Sequence, residues 1–375
     1  MMIVTQLRDV VVGFLRAVGI DRTVMLGILL RLWNMLAVPV SLLLIASKFS
    51  SQLQGYYYTF LSIVTFQFLI ELGMGGMIIQ FVSHEWAQLS MDKGGRISGD
   101  VNALSRLQSM TQFFFRWYYM GSIVLMLGLG LGGYLFFSGN GSADIDWLMP
   151  WLILCICNSA VFCLVPIWSL LEGCNQISIL YAYRFLQSVM MNLSLWIAIL
   201  SGAKLWAIVV SNVTIIVCAF IFLVGRYRRF LWMVLFSKPT GARICWRQEI
   251  FPLQWRTSIA WLMGPLSSNL FVPVLFKFQG PVIAGQMGMT WSIACIVPSI
   301  AAAWFSPKVP RLGMLIARKK YGELDELFWR SAKVAIAAAT IGARTAGSIL
   351  SVLDILNCPI VARFLSILPT GLFLL

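Results

Sequence analysis

Three charged side chains sit inside otherwise apolar stretches, and their chemistry has to be accounted for first: Arg31 within 24–46, Glu71 within 56–82 and Arg184 within 177–200. A charge at the centre of a bilayer costs about 2.5 to 3.5 kcal/mol on insertion scales, so such groups face a protein interior or a wet cavity. A guanidinium offers donors in a planar fork that matches two oxygens of a phosphate or carboxylate. Two arginines on one path therefore favour an anionic ligand, with Glu71 as a resident counter-ion that the ligand displaces. The alternative is a structural ion pair, Glu71 with either arginine, that neutralises both charges inside a bundle.

Helical spacing adds neighbours to these charges. Tyr181, Arg184, Ser188 and Asn192 fall on one face of a helix whose other faces are apolar. Asn34 follows Arg31 by one turn, and Gln67 precedes Glu71 by one turn. Pro39, Gly73, Gly75, Gly76 and Pro273 are the expected hinges, because proline removes a ladder hydrogen bond and glycine permits close approach or a break. Trp261 and Trp291 could stack on sugar rings, whereas Trp117, Trp147 and Trp206 near span ends fit interface anchors. Thr290, Ser292, Ser267, Ser268 and Asn269 are weaker candidates, since hydroxyls commonly bond their own helix.

Other chemistries find no support in the sequence. The chain has one histidine, His84, and eight cysteines with no C-x-x-C, so neither a metal nor a cofactor is expected. No lysine follows a glycine, which removes the phosphate-cradling loop of nucleotide-driven pumps. Asp144 and Asp146 form a D-x-D, but in a connection of about ten residues, too short to fold around a sugar nucleotide. No catalytic residue is expected, and the chain reads as a non-enzyme.

The elements that must position these groups are membrane helices. Hydrophobic residues make up 59% of 375 positions and charged residues 11%, against about 25% charged in an average soluble domain. Apolar stretches of spanning length run at 24–46, 56–82, 118–137, 147–171, 177–200, 205–224, 257–276, 281–304, 332–353 and 359–375. The expected fold is thus an all-α integral membrane protein of about ten transmembrane helices.

The net charge of +14 is mostly topological. Twenty-one Lys and Arg fall before the first span and in alternate connections, against Lys48, Lys204 and Lys277 in the others. By the positive-inside rule the N-terminus and the connections 83–116, 226–256 and 306–330 are cytoplasmic, in the inner membrane, and no nucleic-acid partner is implied. Residues 1–23 carry Arg8, Asp9 and Arg16 among apolar residues at helical spacing, so an interfacial amphipathic segment is expected and a cleavable leader is not.

A short internal echo divides the chain in two. GYYYTFLSI from Gly55 matches GQMGMTWSI from Gly285 in its leading glycine, Thr-aromatic pair and Ser-Ile, and V-P-V precedes both, at Pro39 and Pro273. The expected organisation is 24–225 as an N-terminal six-helix bundle, 226–256 as a basic cytoplasmic linker and 257–375 as a partial C-terminal bundle of about four helices.

The stretch QGYYYTFLSIVTFQFLIELGMGGMIIQFVSHEWAQL, 54–89, resembles the second-helix region of bacterial polysaccharide-unit flippases, the O-antigen and capsule branch of the multidrug/oligosaccharidyl-lipid/polysaccharide exporters. AGQMGMTWSIACIVPSI, 284–300, and YGELDELFWRSAKVAI, 321–336, extend the resemblance over most of the chain. It implies two pseudo-repeated bundles around a central cavity and translocation of a polyprenyl-diphosphate-linked oligosaccharide by alternating access. Membrane lipids, and a polysaccharide polymerase or assembly proteins, would be the partners. Against that pattern the second half is two helices short. The alternatives are a drug/cation antiporter of the same architecture, a membrane polysaccharide polymerase, and a non-functional truncated flippase.

Single cysteines at Ser142 and Ser237, in a background with the native cysteines replaced, are expected to label oppositely with an impermeant thiol reagent: Ser142→Cys from outside, Ser237→Cys only after permeabilisation. The reverse pattern would invert the topology.

Overall fold

The computed structural model describes residues 22–92, 97–140, 145–241, 244–245, 249–296, 299, 320–355 and 359–365. The interfacial segment expected at 1–23 lies almost wholly outside them, as do most of 297–319 and the end of the tenth expected span. Apart from one hairpin, the described chain is helical, and it is built as a membrane protein. Four helices are long and apolar enough to cross a bilayer, at Met25–Lys48, Val101–Gly139, Leu148–Gly173 and Trp206–Phe236, and a bent pair, Ser51–Glu71 with Met74–Trp86, makes a fifth. Leu36, Leu131, Leu135, Ile197, Phe220 and Ile221 project outward from these and the neighbouring helix, as a lipid-facing surface requires.

By contacts the chain forms two compact units, 48–285 and 1–47 with 286–375. Residues 257–285, expected to open the second bundle, therefore belong with the first. In the smaller unit, α1 (Arg22–Lys48) runs unbroken through Pro39, so this proline does not interrupt its helix.

The larger unit starts with α2 (Ser51–Val64), whose N-terminus is capped by Ser50: its hydroxyl accepts from the Leu53 N–H at 3.2 Å. A 3-10 turn, Thr65–Gln67, leads into the single turn α3 (Phe68–Glu71), and α4 (Met74–Trp86) departs at 46°. A hairpin, β1 (Leu89–Met91) with β2 (Ile97–Gly99), then leads to α5 (Val101–Asn140), where Asp100 accepts the Ala103 N–H at 2.8 Å. The three following helices, α6 (Leu148–Gly173), α7 (Ile177–Leu200) and α8 (Trp206–Phe236), are joined by tight turns with left-handed residues at Asn175, Gly202 and Lys204. Short turns make α7 and α8 antiparallel neighbours. Although 24 residues long, α7 falls outside the spanning set because Arg184, Gln187 and Asn192 dilute its apolar character.

The seventh expected span, 257–276, is two helices: α9 (Phe251–Asn269) and α10 (Phe271–Gln279) break at Leu270, and Pro273 sits in the first turn of α10, where its missing N–H costs no ladder bond. Next comes α11 (Pro281–Ala294). The ninth span lies within α12 (Tyr321–Ile355), which begins eleven residues earlier than its apolar stretch and carries Glu323, Asp325, Glu326 and Arg330 in that extension.

Aromatic packing centres the larger unit. Tyr56, Phe60, Phe137, Trp151 and Phe276 are fully buried, with Phe60 and Trp151 rings 4.9 Å apart and Tyr56 edge-on to Phe276 at 5.0 Å. Gly133 exists to admit the Trp151 ring, which a Cβ there would strike. The two glycines that lead the internal echo meet directly. A Cβ on Gly285 would lie 2.8 Å from the Gly55 nitrogen, one on Gly55 would collide with the Pro281 carbonyl, and the Gln54 amide donates to Gly285 O at 2.9 Å.

The basic stretch expected as a linker is helical at both ends, because hydropathy marks only the part of a helix inside hydrocarbon. Residues 226–236 continue α8, and α9 begins at Phe251. What remains is a strap along the polar end of α5: the Gln112 amide donates to Ser237 O at 2.7 Å, and the Gly241 and Ile244 N–H groups donate to Ser105 and Ser109 hydroxyls. Arg106 closes it, reaching Glu85 at 2.9 Å and Glu249 at 2.7 Å, and Glu249 also accepts the Cys245 N–H.

The Cys245 N–H, and after it the Arg106 side chain, hold the Glu249 carboxyl below its ordinary 4.5. A depressed carboxyl contributes stability that is whole at neutral pH and is lost as the pH falls through its folded value. Glu249→Gln should therefore cost about 0.5 to 1 kcal/mol after allowance for exposure, a two- to fivefold loss of hydrogen-exchange protection over 237–245 at pH 7. At pH 3 the wild type and the variant should exchange alike.

Candidate functional site

The residues singled out in the sequence separate into three places. The first is in the unit formed by 1–47 and 286–375. Arg31, Asn34, Met35 and Val38 on α1 line a cavity of about 360 Å³ with Ser292, Cys295, Ile296 and Ser299. Asn34 shares the cavity with Arg31 as its spacing suggested, and Ser292, a weaker candidate from another span, joins them; Ser299 was not foreseen, because no charged residue near it in sequence marks its stretch. Arg31 has no ion-pair or hydrogen-bond partner among the described residues. The cavity thus presents a guanidinium and a carboxamide with no carboxylate among the described lining residues, a pairing of donors suited to phosphate oxygens, while the Ser292 and Ser299 hydroxyls donate to Gly288 O and Cys295 O at 2.8 and 2.7 Å. Trp291, half-buried on α11, is not part of that lining.

The second place is the break in the bent span, within the larger unit. Leu72 (φ 48°) and Gly73 (φ 72°) are both left-handed, which ends α3 and re-aims α4. A side chain at Gly73 would be strained and would meet the Trp261 indole at 2.8 Å, so Trp261 packs on the break. Gln254 and Ser258 of α9 donate to the Leu72 carbonyl at 2.9 and 3.2 Å, taking up the backbone oxygen that the helix releases. Gly75 is a close approach: a Cβ there would sit 3.2 Å from Glu71 Oε1 and 3.3 Å from Ser169 Oγ of α6. Gly76 has open space around it and shows no such role. Gln67 accepts from the Asn158 amide of α6 at 3.3 Å.

The third place carries the stripe of α7. Arg184 pairs with Glu172, the penultimate residue of α6, at 3.0 Å and lies over the Tyr181 ring at 5.9 Å. The Asn192 amide donates to Ser188 O at 2.7 Å and meets its hydroxyl at 3.4 Å, so the lower stripe satisfies itself along its own helix. The expected partner Glu71 is not the one used. Sequence reading passed over Glu172 because it lies at a span end, where the tight turn Cys174–Gln176 folds it back beside α7. The described residues hold no group of His, Cys, Asp and Glu that could bind a metal ion.

Compared with known protein families, curated proteins and solved structures, the chain has no match.

The Arg184 pairing sets up a double-mutant test. Both side chains are partly exposed, so Arg184→Ala should cost about 0.5 to 1 kcal/mol, or about 1 to 4 °C in the melting temperature of the extracted protein. Adding Glu172→Gln should recover most of that loss, and adding Glu71→Gln should not.

Proposed function

We propose that this protein is a flippase for a polyprenyl-diphosphate-linked oligosaccharide, carrying the polar head across the cytoplasmic membrane by alternating access while the lipid tail stays in hydrocarbon. The observation that carries the reading is Arg31: a guanidinium with no counter-ion among the described residues, on a helix apolar enough to span, lining a cavity with Asn34, Ser292 and Ser299. An unmatched cation in that setting is retained at a cost of a few kcal/mol, which a diphosphate offsets with charge-assisted, bidentate hydrogen bonds. Arg184 is the weaker contact, because Glu172 already neutralises it.

The sequence resemblance points to the same cargo, and the charge bias of the connections supports an orientation with cytoplasmic loading. Two repeated bundles are part of this reading, supported by the internal echo that opens at Gly55 and Gly285 and by the V-P-V that precedes each. A drug or cation antiporter wants carboxylates in the ligand cavity, and the described residues that line the Arg31 cavity include none. No covalent step is required, so the chain acts as a carrier.

Complementation of a flippase-null strain tests this. Arg31→Ala should reduce surface polysaccharide at least about tenfold at normal membrane abundance, Arg31→Lys should keep part of it as a point charge, and Arg31→Glu should abolish it by repelling the diphosphate. Full transport by a well-expressed Arg31→Ala protein would refute the cargo role.

A further inference from the structure

Three carboxylates lie on the helices of the larger unit that meet the spanning criterion, Glu71, Glu85 and Glu172, and they are not treated alike. Glu85 pairs with Arg106 and Glu172 with Arg184, whereas Glu71 has neither an ion-pair nor a hydrogen-bond partner among the described residues. Glu71 is also the one near mid-length of its span, at the junction of the two bent segments, where solvation of a charge is poorest.

The surroundings of this carboxyl are built rather than accidental. Gly75 leaves room for it beside Ser169, as the distances from a Cβ at that position show. From α5 comes Tyr118, whose ring is fully buried against Phe162, whose hydroxyl finds no hydrogen-bond partner among the described residues, and which is near enough to interact electrostatically with Glu71. Tyr118 is the titratable group facing Glu71 from α5. From α6 come Ser169 and Val165, and α9 presents Gln254, Ser258 and Trp261 to the adjoining Leu72 and Gly73, its Arg256 lying instead over Trp255.

A structural role does not explain Glu71. The freed Leu72 carbonyl is already satisfied by Gln254 and Ser258, the left-handed turn is made by Leu72 and Gly73, and Arg106 and Arg184 pair with other carboxylates. A hard cation would need about six oxygens, and here Leu72 O and the Gln67 side-chain oxygen are both engaged. What the place offers is one carboxyl that a single proton makes neutral, with an unengaged hydroxyl close by.

We propose that Glu71 is a reversible protonation site at the break of the bent span, so that the proton is a ligand of this protein in its own right. On loading, the carboxylate takes a proton from water and becomes a neutral acid that hydrocarbon tolerates; on release the proton returns to water and the anion re-forms only where the break is wet. The site does not depend on which cargo the Arg31 cavity accepts.

Dicyclohexylcarbodiimide, which attacks protonated carboxyls in apolar surroundings, tests this on the full chain in lipid nanodiscs. Glu71 should be the principal modified carboxyl by peptide mass, with labelling falling about tenfold per pH unit above its midpoint, as one titrating group requires. Excess sodium at fixed pH should not protect it. Glu71→Gln, a neutral isostere, should remove the adduct while keeping the wild-type melting temperature. An unlabelled Glu71 in folded wild-type protein, pH-independent labelling, or protection by sodium would each overturn the assignment, and none requires that the variants fold.

Discussion

Hydrocarbon offers no hydrogen bonds, so every charge and every backbone carbonyl that an apolar helix carries into it must meet a partner from the chain itself, from water or from a ligand. The break at Leu72 shows how strictly this holds. Turning α4 away from α3 releases a carbonyl, and α9 supplies two donors to it, Gln254 and Ser258, with Trp261 covering Gly73. Arg184 and Glu172 find each other across a tight turn at the end of α6, and on the water side Arg106 bridges Glu85 and Glu249 where the strap meets α5. Once these are accounted for, Arg31 and Glu71 stand out as charges set within long apolar stretches that find no ion-pair partner among the described residues.

Much of this could be read from the sequence. Arg31, Glu71 and Arg184 are conspicuous because each interrupts a long apolar stretch, and Gly73 and Gly75 are conspicuous because glycine is where a helix can break or admit a neighbour. The glycine that opens each arm of the internal echo turned out to mark a backbone contact, which only residues without a Cβ could make. Pro273 marked a break, whereas Pro39 lies in an unbroken helix; the sequence around the two prolines is the same V-P-V, and what differs is the polar run Ser267, Ser268, Asn269 before the second.

What was hidden depends on long-range or water-side geometry. Hydropathy sees the part of a helix inside the bilayer, so it ended α8 twelve residues early and counted Arg106 and Arg116 as loop, though both are on α5. The pairing of Arg184 with Glu172 depends on the hairpin angle between α6 and α7, which no local pattern encodes. The strap of 237–245 is held by serine hydroxyls and glutamine amides of α5, residues too common to signal a docking surface in advance.

The proposed function and the proposed proton site divide the roles between two charges that find no partner among the described residues, a cation for an anionic head group and a carboxyl for a proton. The central claim, that Arg31 holds a diphosphate, is tested most directly by native mass spectrometry of the protein released from bilayers with polyprenyl lipids. Undecaprenyl diphosphate should remain bound to the wild type, be lost on Arg31→Ala, and outcompete uncharged undecaprenol by about tenfold or more. Equal retention of the diphosphate and the uncharged alcohol, unaffected by Arg31→Ala, would contradict it.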